Sequence, residues 1–174
     1  ATDDFFAILS DGGSMRNTDL LNIAIGRLTV STEQEAMDVV QKIIQYQTID
    51  TINSSLDCNI NPSNGILGDW RNKVILVSDD EDQNAYFNDI EIMASKIEQT
   101  KPTQNIIKIH ADAYAQQPSA VGERIPDAEL AINQRVNDGA LLVNYIGHGG
   151  ETGWAHEQIL KVPTIQNWSN LSNM

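Results

Sequence analysis

The chain has 174 residues, 41% of them hydrophobic, enough for one full domain or two small layers sharing a core. With 11 Lys and Arg against 24 Asp and Glu its formal net charge is −13, which disfavours nucleic acid and anionic membrane surfaces as partners. A single cysteine, Cys58, excludes an internal disulfide, and no apolar run approaches the ~20 residues of a membrane-spanning helix.

Residues 20–30 (LLNIAIGRLTV) are rich in apolar and β-branched residues and read as a strand. Thr32 and Glu35 have the spacing of a capping box. Ala36, Val39, Val40, Ile43 and Ile44 then recur at helical period, predicting an amphipathic helix over 32–47. Residues 48–69 are polar and turn-rich and read as a long connection between two subdomains, residues 1–60 and 66–174.

The second block alternates regularly. Lys73–Ser78 (KVILVS) reads as a buried strand and 79–84 (DDEDQN) as an acidic loop. Phe87, Ile90, Met93, Ala94 and Ile97 place a helix over 85–99, and Asn105–His110 reads as a second strand. A helix opens at Ile125-Pro126-Asp127 and ends at Gly139. Residues 140–146 (ALLVNYI) form a third strand, and a short helix is expected over 162–171. Strand and helix alternating at these lengths predict an α/β fold with a mainly parallel sheet.

Ligands of such a sheet sit outside the carboxyl ends of its strands. Two features fall there: the acidic loop after the first strand, and Gly147-His148-Gly149-Gly150-Glu151-Thr152-Gly153-Trp154 after the third. A histidine held at a strand end by glycines suits general acid–base chemistry near neutral pH. Gly149 and Gly150 let the backbone approach a substrate and present N–H groups to a developing oxyanion.

The segment VNYIGHGGETGW resembles the catalytic-histidine segment of the gingipain family of cysteine peptidases, relatives of caspases and legumains. IAIGRLTV with the helix up to Tyr46, and Trp70 with KVILVSDDED, are similar to the segments that lead into and open the family's catalytic subdomain. The resemblance implies a three-layer caspase/gingipain-like fold and a Cys/His dyad in which His148 is the acid–base and the Gly149 N–H the oxyanion donor. It also implies an acidic residue orienting the histidine. Asp80 is the nearest match, and Asp79 is the alternative.

In that family the cysteine ends the strand after the histidine. The nucleophile is therefore expected beyond Met174, the fold incomplete before the cysteine strand, and the chain a piece of a larger protein. No signal peptide is visible, which on that reading says little about export. Cys58, in an Asn-rich loop, is not expected to act as a nucleophile. The residue setting side-chain preference would fall near Tyr86 or Asp89, and the register between them stays open.

His156 lacks the spacing of a zinc-protease helix. His110, at a strand end, reads as structural. Residues 79–84 lack the glycine and closing glutamate of an EF-hand. No cofactor is required by the dyad, but calcium in another geometry is an expectation, with Asp79 and Asp82 as ligands. Calcium-binding members of the resembled family point the same way.

The acidic loop and DAYAQQPSA (112–120) look most like the family's secretion-linked branch, the signal peptidase or sortase of the type IX secretion system. That likeness implies an exported protein at the outer-membrane surface of a Gram-negative bacterium. Its substrates would be the C-terminal sorting domains of secreted cargo, and its partners outer-membrane secretion components. The rival reading is a catalytically inactive relative that serves as a binding or assembly module.

Overall fold

In the computed structural model, Lys73–Ser78 forms the central strand β1 because both of its faces are apolar. Val74 and Leu76 point to one side and Ile75 and Val77 to the other, and all four are buried. The structure describes residues 3–14, 20–47, 69–120 and 122–168. Contacts divide the chain into two compact units, Ala1–Thr48 and Ile49–Met174.

In the second unit β1 pairs in parallel with β2 (Asn105–His110) on one edge and β5 (Leu142–Ile146) on the other. The register aligns Ser78 with His110 and with Ile146, so the three strands finish level. Between them run helices α2 (Ala85–Thr100) and α3 (Pro126–Asn137). Ile90 and Ala94 of α2 close over Val74 and Leu76. Ala128, Ile132 and Val136 of α3 close over Ile75, Val77 and Ile109. One helix thus covers each face, giving the three-layer α/β arrangement expected from the sequence. Pro126 sits in the first turn of α3, and Gly139, at φ +81°, turns the chain out of that helix. The far edge of β5 carries no strand among the described residues, and Leu142 lies 48% exposed there.

Two further small sheets sit on the loops. β3 (Gln117–Ser119) and β4 (Gly122–Arg124) form an antiparallel hairpin between β2 and α3 that the sequence reading did not anticipate. β6 (Gly149–Gly150), β7 (Gly153–Trp154) and β8 (Leu160–Lys161) form an antiparallel meander directly after β5. The closing helix α4 spans Val162–Gln166. The helix expected over 162–171 is therefore shorter at the positions described, and 169–171 lie outside the described residues, as does Cys58.

In the first unit the capping box forms. Glu35 N–H donates to Thr32 Oγ1 at 3.2 Å, and Thr32 N–H donates to the Glu35 carboxylate at 3.1 Å. Helix α1 (Glu33–Gln47) follows. Residues 20–30, expected as a strand, form none. Residues 3–10 lie alongside, but the one backbone bond between the two described stretches, Asn22 N–H to Ala7 O at 2.9 Å, does not make a ladder, and strand propensity without a ladder is not a strand. This stretch is held instead by side chains. Arg27 pairs with Asp3, and Asn22 Oδ1 accepts from the Leu9 N–H at 2.7 Å.

Candidate active site

The carboxyl ends of β1 and β5 lie side by side, and the loops that leave them carry the acidic run and the glycine-flanked histidine. Asp79 is buried, 1% exposed, and its backbone N–H is fixed by Ile146 O at 3.1 Å. Its Oδ2 accepts the backbone N–H of His148 at 2.8 Å and lies 3.3 Å from Nδ1 of the same residue. The ring contact falls short of a hydrogen bond, and Nδ1, which is buried, has no hydrogen-bond partner among the described residues. Apo catalytic pairs are commonly this long. A carboxylate can only accept, so it favours the Nδ1–H tautomer and leaves Nε2 as the basic nitrogen.

Gly147 is required where it stands. A Cβ there would come 2.4 Å from Asp79 Cβ and 2.4 Å from the Tyr145 hydroxyl. That hydroxyl donates to His148 O at 2.6 Å, and Ala155 N–H donates to the same carbonyl at 2.8 Å. Burial pushes the Tyr145 hydroxyl well above its ordinary value, with the Asp79 charge next, so it stays a donor. The Tyr145 ring stacks on Trp154 of β7, centroids 4.5 Å apart.

The bond from Ala155 to His148 also sets the direction of the next N–H. Hydrogen-bonded and non-hydrogen-bonded pairs alternate along an antiparallel ladder. The Gly149–Trp154 pair is therefore of the second kind, and the Gly149 N–H points out of the hairpin. The Trp154 carbonyl accordingly serves β8, accepting from Ile159 N–H at 3.1 Å.

The imidazole is 37% exposed and bordered on its open sides. His156 stacks on it at 5.4 Å and 12°, and Tyr86 meets it edge-on at 5.5 Å. Asp82 Oδ2 stands 3.6 Å from Nε2 and accepts the Tyr86 hydroxyl at 2.6 Å, a bond that pushes the Tyr86 pKa up to about 12. Glu81 accepts from His156 at 3.1 Å and raises its pKa above the ordinary value. Asp82, Gln83 and Asn84 all have positive φ (57°, 55° and 67°), which folds this loop back toward the histidine.

Of the residues singled out by sequence, the structure brings together His148, Gly149 and Asp79. Asp80, the nearer match for the orienting acid, points elsewhere. Its Oδ2 accepts from Gln116 Nε2 at 2.6 Å. The Asp80 carboxylate is engaged by Gln116, so of the two aspartates Asp79 is the one that meets the histidine. Of the two residues expected as calcium ligands, Asp79 and Asp82, only Asp79 lies in a converging acidic group. Asp82 is taken up by Tyr86 and His148, while the group that converges is Asp79, Asp80 and Glu157. His110 ties strand to helix, with Nδ1 2.8 Å from Ser78 Oγ and Nε2 3.1 Å from Glu91. His156 and Glu157 were missed as neighbours of His148. Their signal was the two-residue turn Glu151-Thr152 between glycines, which folds 153–157 back along 147–150.

A half-exposed histidine backed by a buried carboxylate, at the carboxyl edge of a parallel three-layer sheet, marks an α/β domain with a candidate acid–base site. The family model for peptidase family C25 matches residues 1–174. The chain belongs to that family, the gingipain family of cysteine peptidases. No curated protein and no solved structure matches it significantly.

Proposed function

We propose that these residues supply the acid–base half of a Cys/His endopeptidase site, with His148 as the general acid–base and Asp79 as its positioning residue. The observation that carries this reading is the single Asp79 oxygen held against both the main chain and Nδ1 of His148. The nucleophile is assigned to a cysteine in a strand following these residues, as the family resemblance implies. Its thiolate attacks the peptide carbonyl carbon, and the resulting oxyanion takes the outward Gly149 N–H. A proton on His148 Nε2 passes to the leaving amine as the C–N bond breaks. Water then hydrolyses the thioester, with Nε2 taking its proton. On this reading the 174-residue chain alone does not hydrolyse peptides.

Within the family the reading extends to the type IX secretion signal peptidase or sortase, acting on C-terminal sorting domains of cargo at the outer-membrane surface. The resemblance of the acidic loop and of residues 112–120 supports it. The test is a longer chain carrying the next strand, assayed on cargo with and without its C-terminal domain. Cleavage that thiol alkylation abolishes and that His148→Ala cripples is expected. A cysteine at the end of that strand together with full activity in His148→Ala overturns the mechanism. Cleavage of general peptides but not of cargo overturns the sorting role alone.

A further inference from the structure

We propose that His110 is a positioning residue for the acid–base site. Braced by Glu91, it holds Ser78, the last residue of β1, and so fixes the point from which Asp79 reaches His148. The proposal rests on the reading of Asp79 as the residue that positions His148.

Ser78 and His110 end β1 and β2 and stand side by side in the parallel register. Side chains alternate along a strand, so Ser78 leaves β1 on the face of Val74 and Leu76, the one that α2 covers. His110 fills the space between that strand end and the helix. Its Nδ1 lies 2.8 Å from Ser78 Oγ and its Nε2 3.1 Å from the Glu91 carboxylate of α2. The Phe87 ring of the same helix packs on it, centroids 4.3 Å apart. The His110 side chain is 13% exposed, and Ser78 is wholly buried. Serine, histidine and glutamate are the parts of a hydrolytic triad, but no substrate carbonyl reaches a buried Oγ. The three therefore act on the fold.

The direction of the bonds follows from the partners. An ionised carboxylate only accepts, so Glu91 places the proton of a neutral ring on Nε2 and leaves Nδ1 to accept from the Ser78 hydroxyl. Beyond Ser78 the ladder between β1 and β2 stops. On the β5 side the next residue is held by its own backbone, Asp79 N–H donating to Ile146 O at 3.1 Å. On the β2 side the bond from Ser78 to His110 takes the place of the next rung. Asp79 thus leaves a strand end clamped on both sides, and its Oδ2 accepts the His148 N–H at 2.8 Å. A buried hydroxyl stripped of its acceptor is costly, and a strand end is the place that gives way to relieve it.

Hydrogen exchange of single amides in the chain, and kinetics of the longer enzyme, test this. His110→Phe keeps a ring and removes both nitrogens. In it the His148 amide should exchange about tenfold faster or more, as its bond to Asp79 loosens. The Leu141 amide, bonded to Lys73 O at the other end of β1, should keep its rate. His110→Asn, whose side-chain oxygen accepts near the position of Nδ1, should restore part of the protection. Ser78→Ala should reproduce the phenylalanine variant and replaces it if that variant does not fold. In the longer enzyme kcat should fall by roughly 10–10²-fold with KM unchanged, the mark of a misplaced catalytic group. A merely structural role would speed both amides together, and that result overturns the proposal. So does an unchanged His148 amide or an unchanged kcat. Asp79→Asn separates the two readings. Loss of kcat there with none in His110→Phe overturns the role of His110 alone, whereas full activity in Asp79→Asn overturns the reading beneath it.

Discussion

One oxygen of Asp79 meets His148 at two points, accepting its backbone N–H at 2.8 Å and standing 3.3 Å from its ring Nδ1. Substitutions at the two residues should therefore behave differently. His148→Ala removes an imidazole that is 37% exposed and leaves the glycine turn in place, so Tm should barely move. In the longer enzyme, activity should fall by roughly 10²–10⁴-fold, the usual worth of a general acid–base. An unchanged rate, or gross unfolding, would contradict this.

Asp79→Asn should cost both activity and stability. The amide can still accept one N–H, but it loses the charge beside Nδ1 and the charge-assisted bonds to two backbone donors, each worth roughly 1.5–3 kcal/mol. Asp80→Asn should leave the histidine's pH–rate profile where it was, because Asp80 does not face the ring. A larger effect of Asp80→Asn than of Asp79→Asn on that profile would return the orienting role to Asp80.

Gly147→Ala should disable the site by crowding. The added methyl meets Asp79 and Tyr145 at 2.4 Å, and both are the groups that hold His148. The expected readout in the longer enzyme is a large loss of kcat, and in the chain itself a change in near-ultraviolet dichroism from the Tyr145–Trp154 stack. Wild-type activity in this variant would mean that the approach around Gly147 relaxes freely.

Ile132→Ala should destabilise the second unit by about 2–5 kcal/mol, the range for emptying a fully buried aliphatic site. Leu130→Ala, on the exposed side of the same helix, should change stability by less than about 0.5 kcal/mol. Denaturant midpoints compare the two. Equal effects would mean that α3 does not face the sheet through Ile132.

Glu91 carries a pH signature. Its hydrogen bond to Lys108, and then that to His110, holds its carboxyl below the ordinary value of 4.5. A depressed carboxylate stabilises the fold above its unfolded pKa, and the contribution is lost as pH falls through the folded value. Glu91→Gln should thus cost stability at pH 7, about 0–1 kcal/mol for so exposed a group, and converge on wild type as pH falls below 4.5 and through the lowered folded value. A difference that grows on acidification would contradict the assignment.

The second unit was readable from sequence because its signals were local and redundant. β1 and β2 fall at the predicted bounds, since a run such as KVILVS can satisfy both faces only at the centre of a sheet. The His148 turn was legible from its glycines, of which Gly147 and Gly153 exclude a side chain from a crowded place. The choice between Asp79 and Asp80 was not, because two adjacent carboxylates beyond a strand end read alike, and only the folded contacts to His148 and Gln116 tell them apart. Glu157 was hidden for another reason. Its partners are 77 and 78 positions earlier in the chain, and only the folded-back hairpin brings them near. Residues 20–30 show the opposite failure: their strand-like composition met a neighbour, residues 3–10, that offers a single backbone bond, and composition alone makes no ladder.

Among the described residues no strand covers the outer edge of β5. A segment laid along that edge in parallel would sit at the usual ~4.8 Å lateral spacing. Because β1, β2 and β5 finish level, such a segment running the same length would end beside Gly147 and His148. Zipping one more strand onto the sheet would then deliver its last side chain to the imidazole, so completing the fold and arming the chemistry would be a single event.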